Sequence, residues 1–200
     1  MIKAVLLDFG GVIAEEGFAQ GLREIARSQG KNPEEFFRTA AEIVYDCGYV
    51  VGAATTAEYW KALRQATGII GSDDELSREI LDRFIVRPQM IDIVRILKSK
   101  SIDVAILSDQ SNWLDILDYQ QHFFKEFDAV YNSYHLGKSK KDPSIFTDTI
   151  KHLGIHPHEA LFVDDNQGHI DRARKQGLQT ILFESVEGFG KELQNIKFIV

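Results

Sequence analysis

The chain has 200 residues, room for one α/β domain or for a compact core carrying a smaller insert. Its composition, 44% hydrophobic and 26% charged with four prolines, is that of a globular protein and excludes a long disordered or collagen-like stretch. The net charge of −7 excludes a general binder of nucleic acid or of acidic membranes, which needs a basic surface, but it leaves room for one basic pocket that takes a small anion.

Short apolar runs alternate with amphipathic helical patterns, the rhythm of βα units on a parallel sheet. The first run, Ile2 to Phe9, has no polar face, as a strand buried on both sides requires. Asp8 interrupts it too soon for a signal-peptide core or a membrane span, so a cytoplasmic location without a membrane partner is the expectation. Residues 15–87 contain no strand pattern and four helical ones. Phe18, Leu22, Ile25 and Ala26 share a stripe, and Asn32-Pro33 with Glu35 is a helix start. Thr55 with Glu58 and Ser72 with Glu75 have capping-box spacing, ahead of the stripes Tyr59-Leu63-Ala66 and Leu76-Ile80-Phe84. Cys47, the sole cysteine, excludes an intrachain disulfide and reads as a small buried hydrophobe. After Arg87-Pro88 the βα rhythm resumes with a helix through Met90, Ile93, Val94 and Leu97. Strands are expected at Ile102–Leu107, Ala160–Val163 and Thr180–Phe183, with a weaker one at Ala129–Tyr131 and an edge strand at Phe198–Val200. The expected class is α/β: a Rossmann-like parallel sheet core with helices on both faces, from residues 1–14 and 88–200, interrupted by a four-helix insert at 15–87.

Parallel sheets of this kind bind ligands at the carboxyl ends of their strands, so the polar residues there are the candidates. Asp8 ends the first strand beside Gly10 and Gly11, which let a backbone approach a ligand closely; a turn-forming Asp reads equally well. Asp-Phe-Gly-Gly-Val is not a dinucleotide fingerprint. Ser108 follows the second strand, where a hydroxyl either donates to a phosphate oxygen or caps the next helix. Lys138, Lys140 and Lys141 precede the helix start at Pro143 and form either a patch for an anion or a solvated loop. Asp164 and Asp165 end the strand Leu161–Val163. Adjacent carboxylates repel, and with Asp8 alongside they call for a hard cation such as Mg²⁺; the alternative is an acidic turn, with Asn166 capping the next helix. Each residue alone has a bland explanation. Acids, a hydroxyl and a lysine gathered at successive strand ends are much harder to explain that way.

These positions resemble, in order and along the whole chain, the four motifs of the haloacid dehalogenase-like hydrolases. Asp8 matches the first, Ser108 the second, Lys140 (three residues beyond Gly137) the third, and Asp164-Asp165 the fourth, while the insert resembles the family's helical cap. The resemblance implies a Mg²⁺-dependent phosphohydrolase acting on a small phosphorylated metabolite, with a sugar-1-phosphate among the candidates. It implies Asp8 as the nucleophile that becomes an aspartyl phosphate, with Lys140 and Ser108 stabilising charge on the transferring group. The implied phosphate contacts are Ser108, Asp109, Lys140 and Gly11, and the implied metal set is Asp8, Gly10 through its carbonyl, Asp165 and Asp164.

Departures from the family pattern sharpen the reading. Gly10 stands where phosphatases of the family usually carry a second Asp as general acid, a role typically worth about 10²–10⁴-fold. An anomeric or otherwise acidic leaving oxygen depends less on that acid. Lys141 replaces the usual Pro, His169 an Asp or Asn, and Asp109 an Asn. Two other readings are a metal-independent 2-haloacid dehalogenase, whose relatives lack the acidic pair, and a catalytically weak ligand-binding or regulatory protein. His152, His156 and His158 read as solvated, and His122 and His135 have no partner at ligand spacing. Nothing in the sequence specifies an oligomeric state.

Overall fold

The computed structural model describes residues 1–196, so the expected edge strand at Phe198–Val200 lies outside the described residues. Five strands, β1 (Ala4–Leu7), β2 (Asp103–Ser108), β3 (Ala129–Asn132), β4 (Ala160–Asp164) and β5 (Gln179–Leu182), form one parallel sheet in the order β3-β2-β1-β4-β5. All four residues of β1 are buried, which explains why the run carries no polar face. Successive side chains leave a strand on opposite sides, so Val5, Leu7, Ile106 and Val163 join one apolar cluster. Leu6, Leu107 and Phe162 join a second, under the helices Ser144–Leu153 and Gln167–Lys175.

The insert forms α1 (Gly17–Ser28), α2 (Pro33–Asp46), α3 (Thr56–Thr67) and α4 (Asp73–Leu81), with a 3-10 turn at Tyr49–Val51, and α5 (Pro88–Ser99) follows it. The caps are those the sequence calls for. Asn32 accepts from the N–H groups of Glu34 and Glu35, and Thr55–Glu58 and Ser72–Glu75 both close capping boxes. Phe84, expected at the end of the fourth helix, lies outside it: α4 stops at Leu81 and the chain turns back. There the two linkers run side by side, Glu15 N–H donating to Ile85 O and Arg87 N–H to Ile13 O, both at 2.9 Å. That pairing turns Phe84 onto Phe9, with ring centroids 5.7 Å apart. Cys47 is half-buried rather than buried, because it is the C-cap residue where the chain leaves α2.

The first apolar cluster does not stop at the insert. It continues from the sheet through Phe9 and Trp113, at the start of α6 (Trp113–Gln121), to Tyr49, Tyr59 and Trp60. Trp113 meets Tyr49 edge-on at 5.6 Å and Trp60 at 6.1 Å. Two further ties fasten the same seam: Tyr49 Oη donates to Asn112 Oδ1 at 2.6 Å, and the buried Ser133 Oγ donates to Val50 O at 2.7 Å. No helix among the described residues is long and apolar enough to cross a membrane.

Candidate active site

Strand register places the acids. Leu7 lies opposite Ile106 on one side and Val163 on the other, so Asp8 emerges one step further, beside Asp164. Its backbone N–H donates to Val163 O at 2.9 Å. Between β1 and β4 the strand order reverses, the place where a parallel sheet opens a crevice. The loop after Asp8 then has to pass Asp165 closely. Gly11 has φ +83°, and a Cβ there would sit 2.1 Å from Asp165 Oδ2, so only glycine fits.

Of the three clustered lysines, Lys140 alone turns inward. Lys138 pairs with Asp148 at 2.6 Å, and Lys141 lies over the Tyr45 ring. Lys140 is 0% exposed, with Nζ 3.0 Å from Asp8 Oδ1 and 2.6 Å from Asp164 Oδ2. Its backbone N–H donates to Asp109 Oδ1 at 2.7 Å, and Tyr45 Oη donates to Asp109 Oδ2 at 3.0 Å. With both carboxylate oxygens engaged, Asp109 braces the lysine loop. Ser108 is not a helix cap: α6 begins five residues later, and the Ser108 hydroxyl has no hydrogen bond among the described residues. His169 Nδ1 lies 3.0 Å from Asp164 Oδ2.

One carboxylate oxygen each from Asp8, Asp164 and Asp165 lie within 4.8 Å of one another, with a single lysine charge against them. Three hard oxygen donors around an excess of negative charge fit a divalent cation. Burial pushes the Asp8 carboxyl up to about 7; Lys140 opposes this and Asp164 adds to it. Burial alone would raise Asp164 too, but Lys140 and His169 outweigh it and hold that group well below the usual carboxylate range. For Lys140, burial favours the neutral form and the two aspartates outweigh it, so it stays charged.

These shifts give a sign for stability. Asp8 titrates higher in the folded chain than its ordinary 3.8, so its contribution is complete at low pH and is lost as pH rises towards about 7. Asp165, also raised by burial and by Asp164, acts in the same direction, whereas Asp164 acts below its ordinary value, outside that window. In chelator, the melting temperature is expected to fall between about pH 4 and 7, and added Mg²⁺ to flatten the slope. A metal-free melting temperature that climbs across that window contradicts the assignment.

A cavity of ≈ 360 Å³ opens over these strand ends, lined by Asp8, Gly10, Ser108, Asp109, Asp165 and His169. Lys140 and Asp164 lie beneath it rather than in its wall, and Gly11 faces a neighbouring depression with Glu15 and Arg87. Its other wall comes from α1, α2 and α6, including Phe18, Tyr45 and Trp113. No lysine or arginine lines it among the described residues. Sequence reasoning missed several residues here. Arg87 Nη1 donates to Gly11 O at 2.6 Å and Val12 O at 2.9 Å, while Nε and Nη2 hold Glu15, so one side chain pins the acid-bearing loop to both linkers. Its place next to Pro88 was the only signal. Phe84 was missed as well: a Cβ at Gly10 would lie 3.2 Å from its Cε1, so a side chain at position 10 would start tight against that ring.

Comparison with known proteins adds to this geometry. A family model described as haloacid dehalogenase-like hydrolase matches residues 2–177. D-ribitol-5-phosphate phosphatase of Bacteroides thetaiotaomicron is 28% identical over 210 residues, 96% of this chain and 97% of that one. The chain spans less than half the length of the first curated relatives it matches, 44% and 39%. A haloacid dehalogenase-family enzyme of Bacteroides thetaiotaomicron, solved with magnesium and inorganic phosphate, superposes with a TM-score of 0.71 at 22% identity, covering 92% of this chain and 95% of that one. L-2-haloacid dehalogenase of Xanthobacter autotrophicus superposes with 0.68 at 20% identity, covering 98% and 83%. Likeness at that identity speaks to fold alone. The family match covers most of the chain, and with it the acids, the hydroxyl and the buried lysine: this protein belongs to the haloacid dehalogenase-like hydrolases.

Proposed function

We propose that the chain is a Mg²⁺-dependent phosphohydrolase acting on a small phosphorylated metabolite through an aspartyl phosphate on Asp8, with residues 15–87 as its cap. The observation that carries this reading is the group of three carboxylates around one buried lysine, Asp8, Asp164 and Asp165 with Lys140. The phosphatase activity named for the Bacteroides thetaiotaomicron relative, matched over nearly its whole length, supports it. Asp8, Asp165 and Asp164 would hold the ion, with the Gly10 carbonyl. When bound, Mg²⁺ supplies charge that offsets repulsion between the carboxylate and the phosphoryl oxygens.

The chain's own residues do the rest. The Phe9 N–H donates to Asp8 Oδ1 at 2.7 Å and the Lys140 ammonium pairs with the same oxygen at 3.0 Å, which fixes the rotation of the carboxylate. Asp8 forms an oxygen–phosphorus bond as the ester bond breaks, and the leaving oxygen takes its proton from water. A second water then cleaves the acyl phosphate, releasing phosphate and restoring the carboxylate. The Ser108 hydroxyl is a donor for the transferring oxygens. Because Gly10 brings no carboxylic acid, readily departing oxygens are favoured, as in sugar-1-phosphates and aryl phosphates.

The dehalogenase reading has less support. A haloacid carries its own carboxylate, and no lysine or arginine lines the cavity among the described residues to receive it. The expected result is that p-nitrophenyl phosphate hydrolysis falls to background on exhaustive chelation and returns with Mg²⁺. Activity that survives chelation overturns the metal assignment.

A further inference from the structure

The wall of the cavity facing the acids is apolar, with Phe18 from α1, Phe37 and Val44 from α2, Phe84 from the return linker and Trp113 from α6. Its few polar side chains each have one atom already engaged. Tyr45 Oη donates to Asp109, Glu16 Oε2 accepts from the Ala19 N–H at 2.7 Å, Gln110 Oε1 from the Ser111 N–H at 3.1 Å, and Ser111 Oγ from the Trp113 N–H at 3.3 Å. A polyol entering here gives up water and meets mostly aromatic and aliphatic carbon, at about tenfold in binding or more for each hydroxyl left unpaired. A second anion fares no better: Glu16 and Asp109 line the cavity and, among the described residues, no lysine or arginine does. A flat ring, by contrast, keeps its contacts with the aromatic side chains.

From this lining we infer that the site takes a monophosphate whose leaving group is an uncharged, largely apolar, ring-bearing alcohol or phenol. The inference rests on the phosphohydrolase reading and narrows it: of the two leaving-group classes that Gly10 favours, the wall selects the aryl type over the sugar.

Non-hydrolysable phosphonates remove leaving-group acidity from the comparison. Binding to the Mg²⁺-loaded protein is measured by calorimetry for benzylphosphonate, 4-carboxybenzylphosphonate and a glucosylmethyl phosphonate. Benzylphosphonate is expected to bind at least about thirtyfold tighter than the sugar analogue and about tenfold tighter than its carboxylated form. Equal or reversed affinities overturn the inference, whether or not p-nitrophenyl phosphate is hydrolysed. Loss of p-nitrophenyl phosphate turnover with the affinity order intact sinks the parent reading alone. Val44→Thr, which keeps the shape and adds a hydroxyl, is expected to narrow the benzyl-to-sugar ratio about threefold. A ratio that stays fixed in the folded variant removes this wall as the selector.

Discussion

Asp8→Asn is expected to lower turnover by about 10⁴-fold or more, because loss of the nucleophile removes a step that the remaining groups cannot replace. The substitution changes little volume, and the amide oxygen can still accept from Phe9 N–H, as Asp8 Oδ1 does at 2.7 Å. Fold and metal-free stability should therefore survive. Above pH 7 the variant should be at least as stable as the parent in chelator, since the parent then carries an ionised carboxylate that burial disfavours. Rapid quench with borohydride should trap a reducible acyl phosphate on the parent and none on the variant. A folded Asp8→Asn protein that retains a tenth of the parent turnover gives the nucleophile's role to another residue.

The second large effect is on folding. Lys140→Met is expected to destabilise the protein by about 3–5 kcal/mol, the usual consequence of leaving buried charges uncompensated. Lys140 is 0% exposed, and removing its ammonium leaves Asp8 and Asp164 facing each other across an apolar side chain. Mg²⁺ should recover part of the loss, because a cation at the carboxylates answers the same excess charge. Lys140→Arg keeps the charge but forces a larger planar group into a closed space, so about 1–3 kcal/mol of overpacking is expected instead. Urea midpoints at constant m distinguish the three proteins. A Lys140→Met loss below about 1 kcal/mol would mean that the buried pairs do not hold the strand ends together.

What the sequence disclosed follows from which physics is local. Strands buried on both faces leave continuous apolar runs, so β1, β2 and β4 could be placed to within a residue or two. Capping boxes involve neighbours three apart, which is why Thr55–Glu58 and Ser72–Glu75 were readable. The lysine run was different. Lys138, Lys140 and Lys141 are chemically alike, and only the distant partners Asp148, Asp8, Asp164 and Tyr45 separate them. Without the family resemblance, periodicity alone would have left Lys140 undistinguished. Tyr45 and Phe84 were hidden for the same reason: helical spacing assigns Phe84 to the insert's own packing and does not single out Tyr45, whereas the hydrogen bond to Asp109 and the place of the Phe84 ring beside position 10 bring them to the cavity.

The order of the sheet also governs how the protein is made. β1 is synthesised first but sits in the middle, between partners that begin at Asp103 and Ala160. Such distant pairings fold slowly, because loop closure must precede the contacts that reward it. Until β4 leaves the ribosome, β1 offers an open apolar edge, Val5-Leu6-Leu7, to any other nascent chain. Chains that stop short of Ala160 should therefore aggregate rather than accumulate as soluble fragments. The same delay means that Asp8 meets Asp164 only after the insert, β2 and β3 have all been made, so the cluster of acids is assembled late in folding.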